Sequence, residues 1–114
     1  MEITTLTQDG IVIFVLQGRL DANGAQKAQE AIIPHIPRNG RMALDMSECG
    51  YVASSGLRIL MIAAKQSAAT QCRTVLCGLQ PLVYDVIQMT GFENVLEVLP
   101  TRAAALAKLS QSEA

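Results

Sequence analysis

The sequence predicts an α/β domain in which a mixed sheet of about five strands packs with about four helices. Strand-like and helix-like segments follow in the order β-β-α-β-α-β-α-β-α, which is typical of a hairpin continued by crossover units. Residues 11–16 form an unbroken apolar run, as expected for a strand that is buried on both faces. A second short apolar run lies at residues 42–46. The pattern changes near Ala53, and a long helical pattern begins at Ser54.

The composition indicates one domain that spans residues 1–114, with a polar tail from about residue 110 that is expected to fray. Half of the 114 residues are hydrophobic, which is enough for a core without disulfides or metal. Nine Lys and Arg oppose ten Asp and Glu, and no run of like charge suggests binding to nucleic acid or to an anionic membrane. The sequence shows no secretory signal and no apolar run long enough to cross a bilayer, so a cytoplasmic protein is expected.

The three cysteines, Cys49, Cys72 and Cys77, lack the close paired spacing of a zinc site or a redox motif. Their odd number also argues against a disulfide framework. They are predicted to be reduced residues that pack in the interior.

The first half of the chain contains a predicted hairpin and helix. Residues 2–6 alternate weakly, and Asp9-Gly10 is a turn signal before the apolar second strand. Residues 18–21 are predicted to form a turn at the end of that strand, where Asp21 can cap a helix that runs to about residue 33. Pro34 and Pro37 are expected to end that helix because neither can donate a backbone hydrogen bond.

The second half alternates strands and helices. Residues 73–77 are predicted to form a short strand, and Pro81 suits the first turn of the helix that follows. Thr90-Gly91 is expected to end this helix, with Gly91 at positive φ. A last strand is predicted at residues 95–98 and a final helix at about residues 100–109.

Three turns are expected along one rim of the sheet, those that hold Asp21, Ser54 and Leu79, because each follows a strand. Ser54 is predicted to be the N-cap of the long helix, where the positive end of the helix dipole favours a phosphate. A purely structural interpretation stays open, in which Ser54 only caps the helix and Gly56 only permits close packing.

A catalytic interpretation has little support in the sequence. A nucleophilic serine needs a base, and the single histidine, His35, lies between two prolines near the end of the first predicted helix. Asp21 and Asp45 could hold a metal beside Ser54, but each is expected to accept backbone N–H groups in its own turn. We therefore expect a protein that is not an enzyme and has no metal or cofactor. A small Ser/Asp hydrolase stays as an alternative.

The helix after Ser54 has an unusual outer face. Ile62 falls on the same side as Arg58 and Lys65, whereas another face carries Leu57, Leu60, Met61 and Ala64. Such a residue is either exposed by chance or part of a protein interface.

Several segments, in their order and spacing along the chain, resemble those of the STAS domain family, which is named for sulfate transporters and anti-sigma factor antagonists. Residues 44–47 and 51–58 (Tyr-Val-Ala-Ser-Ser-Gly-Leu-Arg) are similar to the family signature. Residues 18–21 resemble its first loop, and residues 79–81 with 89–92 resemble its later helix. Ala53 stands where many members have Asp and others a small residue.

The resemblance implies an anti-sigma factor antagonist that binds an anti-sigma factor, itself a serine kinase, and thereby releases a sigma factor. In the family that kinase phosphorylates the serine matching Ser54, and a PP2C-type phosphatase reverses the reaction. A STAS subunit of a lipid-transport ATPase complex, without a phosphoserine cycle, is the alternative. The partner-binding surface predicted around Ser54 is a set of five residues: Asp21, Ser55, Gly56, Arg58 and Ile62.

Overall fold

The computed structural model describes residues 1–111, apart from the side chain of Glu93. That part of the chain forms five strands, four helices and two 3-10 turns. The strands are β1 (Glu2–Gln8), β2 (Ile11–Leu20), β3 (Arg41–Val52), β4 (Arg73–Cys77) and β5 (Glu97–Leu99). The helices are α1 (Ala22–Ile32), α2 (Ser54–Ala69), α3 (Pro81–Met89) and α4 (Arg102–Leu109), and the 3-10 turns are Ile33–His35 and Phe92–Asn94. The predicted element order is confirmed.

The sheet is mixed, as predicted. Its strand order is β1-β2-β3-β4-β5, in which β1 is antiparallel to β2 and the other neighbours are parallel. The hairpin turns at Asp9 (φ 54°) and Gly10 (φ 78°), two successive positive φ angles that match the twist of a tight hairpin. The Asp-Gly turn signal is therefore confirmed.

Helices cover both faces of the sheet, so β2 is buried on both sides as predicted. Phe14 and Leu16 of β2 belong to the larger core, which includes buried residues of α1, α2 and α3. Ile13 and Val15 face the other way, into a smaller core closed by Ala105 and Leu109 of α4. Full burial of one such side chain contributes roughly 1.5–3 kcal/mol.

Two strands are longer than the sequence indicates. β2 continues through Gly18 and Arg19 to Leu20, so the turn predicted at residues 18–21 is wrong in its first three residues. β3 continues to Val52, which places Asp45 inside the strand and not near its end. The cause is pairing between the two strands: residues 17–20 of β2 hydrogen-bond with residues 48–52 of β3, across two register shifts.

The helix ends agree with the local signals in most places. Asp21 is the N-cap of α1, Pro81 is the first residue of α3, and Gly91 has φ 73° just after that helix. The last strand is Glu97–Leu99, shifted from the predicted 95–98 because the 3-10 turn Phe92–Asn94 precedes it. Of the tail predicted from residue 110, residues 112–114 lie outside the described residues.

The three cysteines are buried and free of disulfide bonds, as predicted. Burial raises the pKa of each thiol, and for Cys77 burial and the nearby Asp45 charge raise the pKa to about 12.

Candidate functional site

The carboxyl ends of the parallel strands β2 and β3 form a rim that brings the Asp21 and Ser54 turns together. The backbone N–H of Ala53 donates to the carbonyl of Leu20 at 3.0 Å, which joins the two turns directly. The Leu79 turn is set back along β3, where the Gln80 side chain donates to the Ser47 carbonyl at 2.9 Å. The reason is that β3 extends beyond Asp45, which is the last β3 residue to pair with β4.

Ser54 is the first residue of α2 and not its N-cap, so the predicted capping role is wrong. The N-cap is Ala53, with extended backbone (φ −90°, ψ 175°) and no side-chain capping bond. Its carbonyl accepts the first helical hydrogen bond, from the N–H of Leu57 at 3.0 Å. Because the N–H of Ala53 is also hydrogen-bonded to Leu20, a tertiary contact places the N-cap of the helix one residue earlier than the sequence predicts. Ser54 is left exposed at the helix N-terminus.

Gly56 is buried where α2 packs on the end of β2. A Cβ at this position would lie 2.7 Å from Cγ of Leu20 and still closer to the Leu20 carbonyl oxygen. Only glycine allows this approach, so the close-packing role considered from the sequence is confirmed. Gly56 therefore allows α2 to pack closely against the end of β2, and the residue itself is buried.

Asp21 combines a local cap with a tertiary cluster on the rim. Its Oδ1 accepts the N–H of Gly24 at 2.9 Å, and this hydrogen bond is the main reason that the pKa of Asp21 is lowered. Arg19 places its guanidinium 4.0 Å from the ring centre of Tyr51, and its Nε lies 3.8 Å from Oδ2 of Asp21. A cation above an aromatic ring is an attractive arrangement.

The Arg19–Tyr51 pair was not predicted from the sequence. The two residues are register partners in the extended parts of β2 and β3. Tyr51 is 42% exposed, so the pair adds an aromatic and a cationic group to the rim. No local pattern marks this pairing, since it depends on the register of two strands.

A groove of about 380 Å³ runs between α1 and α2 beside the rim. Three of the predicted partner-binding residues meet there: Ser55 and Ile62 are half-buried and Arg58 is exposed. Ile62 packs against the larger core, so it is less exposed than its place among charged residues suggests. The residues that line the groove are Ala22, Ala25, Gln26, Gln29, Ser55, Arg58, Ile59 and Ile62.

Asp45 belongs to a separate, buried ion pair. The residue is 3% exposed, and its Oδ2 accepts from Nε of Arg102 at 2.8 Å while its Oδ1 accepts from the N–H of Ser47 at 3.0 Å. Burial raises the pKa of Asp45, but the Ser47 and Arg102 hydrogen bonds together outweigh it and hold the pKa below its usual value. The local bond to Ser47 agrees with the expectation from sequence, whereas the pair with Arg102 was missed.

The arrangement offers Ser54 no nearby histidine base. His35 is exposed in the 3-10 turn after α1, while Ser54 lies near the beginning of that helix. An eleven-residue helix separates the two by roughly 16 Å along its axis.

Among residues 1–111, no group of three His, Cys, Asp or Glu side chains could hold a metal ion. In the same range, no helix is both long and apolar enough to span a membrane.

An exposed serine, a stacked Arg–Tyr pair and a groove between two helices define a surface suited to binding another protein. The family model described as the STAS domain matches residues 2–105. The chain therefore belongs to the STAS domain family, and the resemblance drawn from the sequence is confirmed.

Two curated relatives are similar over most of their length. BtrV of Bordetella bronchiseptica, described as a candidate anti-sigma factor antagonist, is 32% identical over 108 residues, covering 94% of this chain and 93% of the relative. The anti-sigma-B factor antagonist of Listeria monocytogenes is 31% identical over 99 residues, covering 86% of each protein.

Solved structures share the fold at low sequence identity. An anti-sigma-factor antagonist (STAS) domain protein from Planctomyces limnophilus has a TM-score of 0.84 at 15% identity, covering 96% of this chain and 98% of that one. The phosphorylated form of SpoIIAA, a cell fate determinant of Bacillus, has a TM-score of 0.71 at 18% identity, covering 94% and 98%.

Proposed function

We propose that this protein is an anti-sigma factor antagonist that is switched off by phosphorylation of Ser54. It binds an anti-sigma factor that is also a serine kinase, and the sigma factor is thereby released. The observation that carries the proposal is the exposure of Ser54 at the first position of a sixteen-residue helix, on the rim beside a groove. The names of the curated relatives support the same function.

The position of Ser54 suits a reversible phosphate. The first backbone N–H groups of a helix have no partner within the helix, and the dipole gives that end partial positive charge. A phosphoserine adds roughly −1.5 to −2 charge, which this helix end tolerates. Modification of Ser54 is therefore expected to leave the fold intact. SpoIIAA, which has the same fold, has been solved in a phosphorylated form.

The same phosphate would prevent binding of a partner packed over the rim. Such a partner would have to desolvate a dianion or bring its own charges against it, and either costs several kcal/mol. A PP2C-type phosphatase would restore binding by removing the charge. Ser55, one residue later, is half-buried at the groove and is the less accessible of the two hydroxyls.

The protein acts in this scheme as a cytoplasmic binding protein and not as an enzyme. The kinase and phosphatase supply the chemistry, while this chain supplies an acceptor hydroxyl and a docking surface. That division of roles agrees with the position of His35, the single histidine, which lies roughly 16 Å along α1 from the rim.

The test is purification of the tagged protein from its native cells, followed by mass spectrometry of Ser54 and Ser55. The co-purifying anti-sigma factor is then expressed and tested for kinase activity and binding. Ser54→Ala should bind but accept no phosphate, Ser54→Asp should bind weakly, and the matched control Ser55→Ala should still be phosphorylated. Recovery of a lipid-transport ATPase with unmodified Ser54 would instead favour a transport subunit.

A further inference from the structure

The groove between α1 and α2 has an apolar floor and polar edges. Ala25 and Ile59 are 8% and 4% exposed, and with half-buried Ile62 they form the floor. Gln26 and Gln29 of α1 are exposed along one edge. A surface of this kind, apolar at the centre and polar at the margin, is the usual form of a protein-docking site.

The charge on the groove has one sign. Among its lining residues in the described part of the chain, Arg58 is the single charged side chain, and no carboxylate lies with it. A complementary ligand therefore combines apolar side chains for the floor with a carboxylate for Arg58. An amphipathic helix presents such groups on one face, at spacings of three, four and seven residues.

We propose that this groove seats an amphipathic helix of the anti-sigma partner, and that an acidic side chain of that helix pairs with Arg58. The inference rests on the proposed function and extends the binding surface to α1, which the sequence had not implicated beyond its cap. The partner helix covers Ala25, Ile59 and Ile62, and Gln26 and Gln29 lie at its margin.

The position of Arg58 also explains how Ser54 controls this contact. Residues 54 and 58 are one turn apart on the same helix face, a spacing at which opposite charges attract. A phosphate on Ser54 attracts Arg58 away from the partner's carboxylate and places a dianion beside it. Phosphorylation thus removes an attraction and adds a repulsion at the mouth of the groove.

The groove is tested with matched tryptophan variants. Gln26→Trp fills it from its exposed edge, and Gln88→Trp places the same side chain at an exposed helical position on α3, outside the groove. The probe is the purified anti-sigma factor identified by co-purification, titrated by calorimetry. Gln26→Trp should weaken binding by about tenfold or more and Gln88→Trp by less than about twofold. Urea denaturation of both variants checks that the fold is retained.

The ion pair is tested by charge. Arg58→Glu should weaken binding by about tenfold or more, because it sets like charges against each other. Ser54→Asp should weaken binding less in an Arg58→Ala background than in the wild type, because part of its effect acts through Arg58.

The outcomes separate the two proposals. If the wild type binds the anti-sigma factor and is phosphorylated, but Gln26→Trp and Arg58→Glu bind as tightly as wild type, the groove inference is overturned and the proposed function stands. If the wild type binds no anti-sigma factor, both are overturned. A dimer of the isolated protein that dissociates in Gln26→Trp, measured by sedimentation, would show that a second copy occupies the groove.

Discussion

The buried pair of Asp45 and Arg102 should make a measurable contribution to stability, and Asp45→Asn isolates it. Asparagine has nearly the same shape, and its amide oxygen can still accept the Ser47 N–H, so the substitution removes the charge and the acceptor that faces Arg102. Arg102 holds α4 to the centre of the sheet through its 2.8 Å contact with Oδ2. Asp45→Asn therefore weakens the docking of α4 on the sheet.

The magnitude follows from the unequal burial of the two partners. Breaking a fully buried ion pair costs about 3–5 kcal/mol, chiefly because one charge is left uncompensated. Here the Arg102 side chain is 37% exposed and can be solvated when its partner is lost. We therefore expect a loss of about 2 kcal/mol for Asp45→Asn, near the value of a hydrogen bond to a charged group. The melting temperature should fall by roughly 6–10 °C for a domain of this size.

The assay is urea denaturation of wild type and variant across acidic pH. The folded pKa of Asp45 lies below its ordinary value of 3.8. The stabilisation by its ionised form is therefore fully present above the unfolded pKa and is lost as pH falls through the lower folded pKa. The wild type should lose its advantage over Asp45→Asn below about pH 4. Equal stability of the two proteins at pH 7, or an advantage that grows on acidification, would refute the reasoning.

Four further tests concern individual features. Gly56→Ala should destabilise by about 1–3 kcal/mol in urea denaturation, because its Cβ overlaps Leu20; unchanged stability would show that the helix can shift. Gly91→Val should cost about 1 kcal/mol or more, since φ there is 73°, and a melting temperature equal to wild type would contradict it. Ser54→Ala should cost less than about 0.5 kcal/mol because Ser54 is not a cap, whereas Asp21→Ala should lower the melting temperature more; the reverse order would refute the assigned caps. Cys77 should react with a thiol reagent at pH 8 only after unfolding, since the pKa of its thiol is about 12 in the folded protein, and rapid labelling of the native protein at this residue would disprove its burial.

The sequence by itself determined those features that arise from residues close together in the chain. The order of strands and helices, the Asp9-Gly10 hairpin, the Asp21 cap and the positive φ of Gly91 all follow from periodicity and local backbone preference. Ser54 and Arg58 could be placed on one helix for the same reason.

Only the tertiary structure decided the features that depend on residues distant in the chain. The hydrogen bond from Ala53 to Leu20 moved the start of α2 and left Ser54 exposed as the first helical residue. Asp45 and Arg102 are 57 positions apart and meet because α4 packs across the sheet. The groove beside Ser55 exists because α1 and α2 lie side by side. Each of these depends on strand register and helix packing, which are set by burial of the whole core, so no short segment of sequence encodes them.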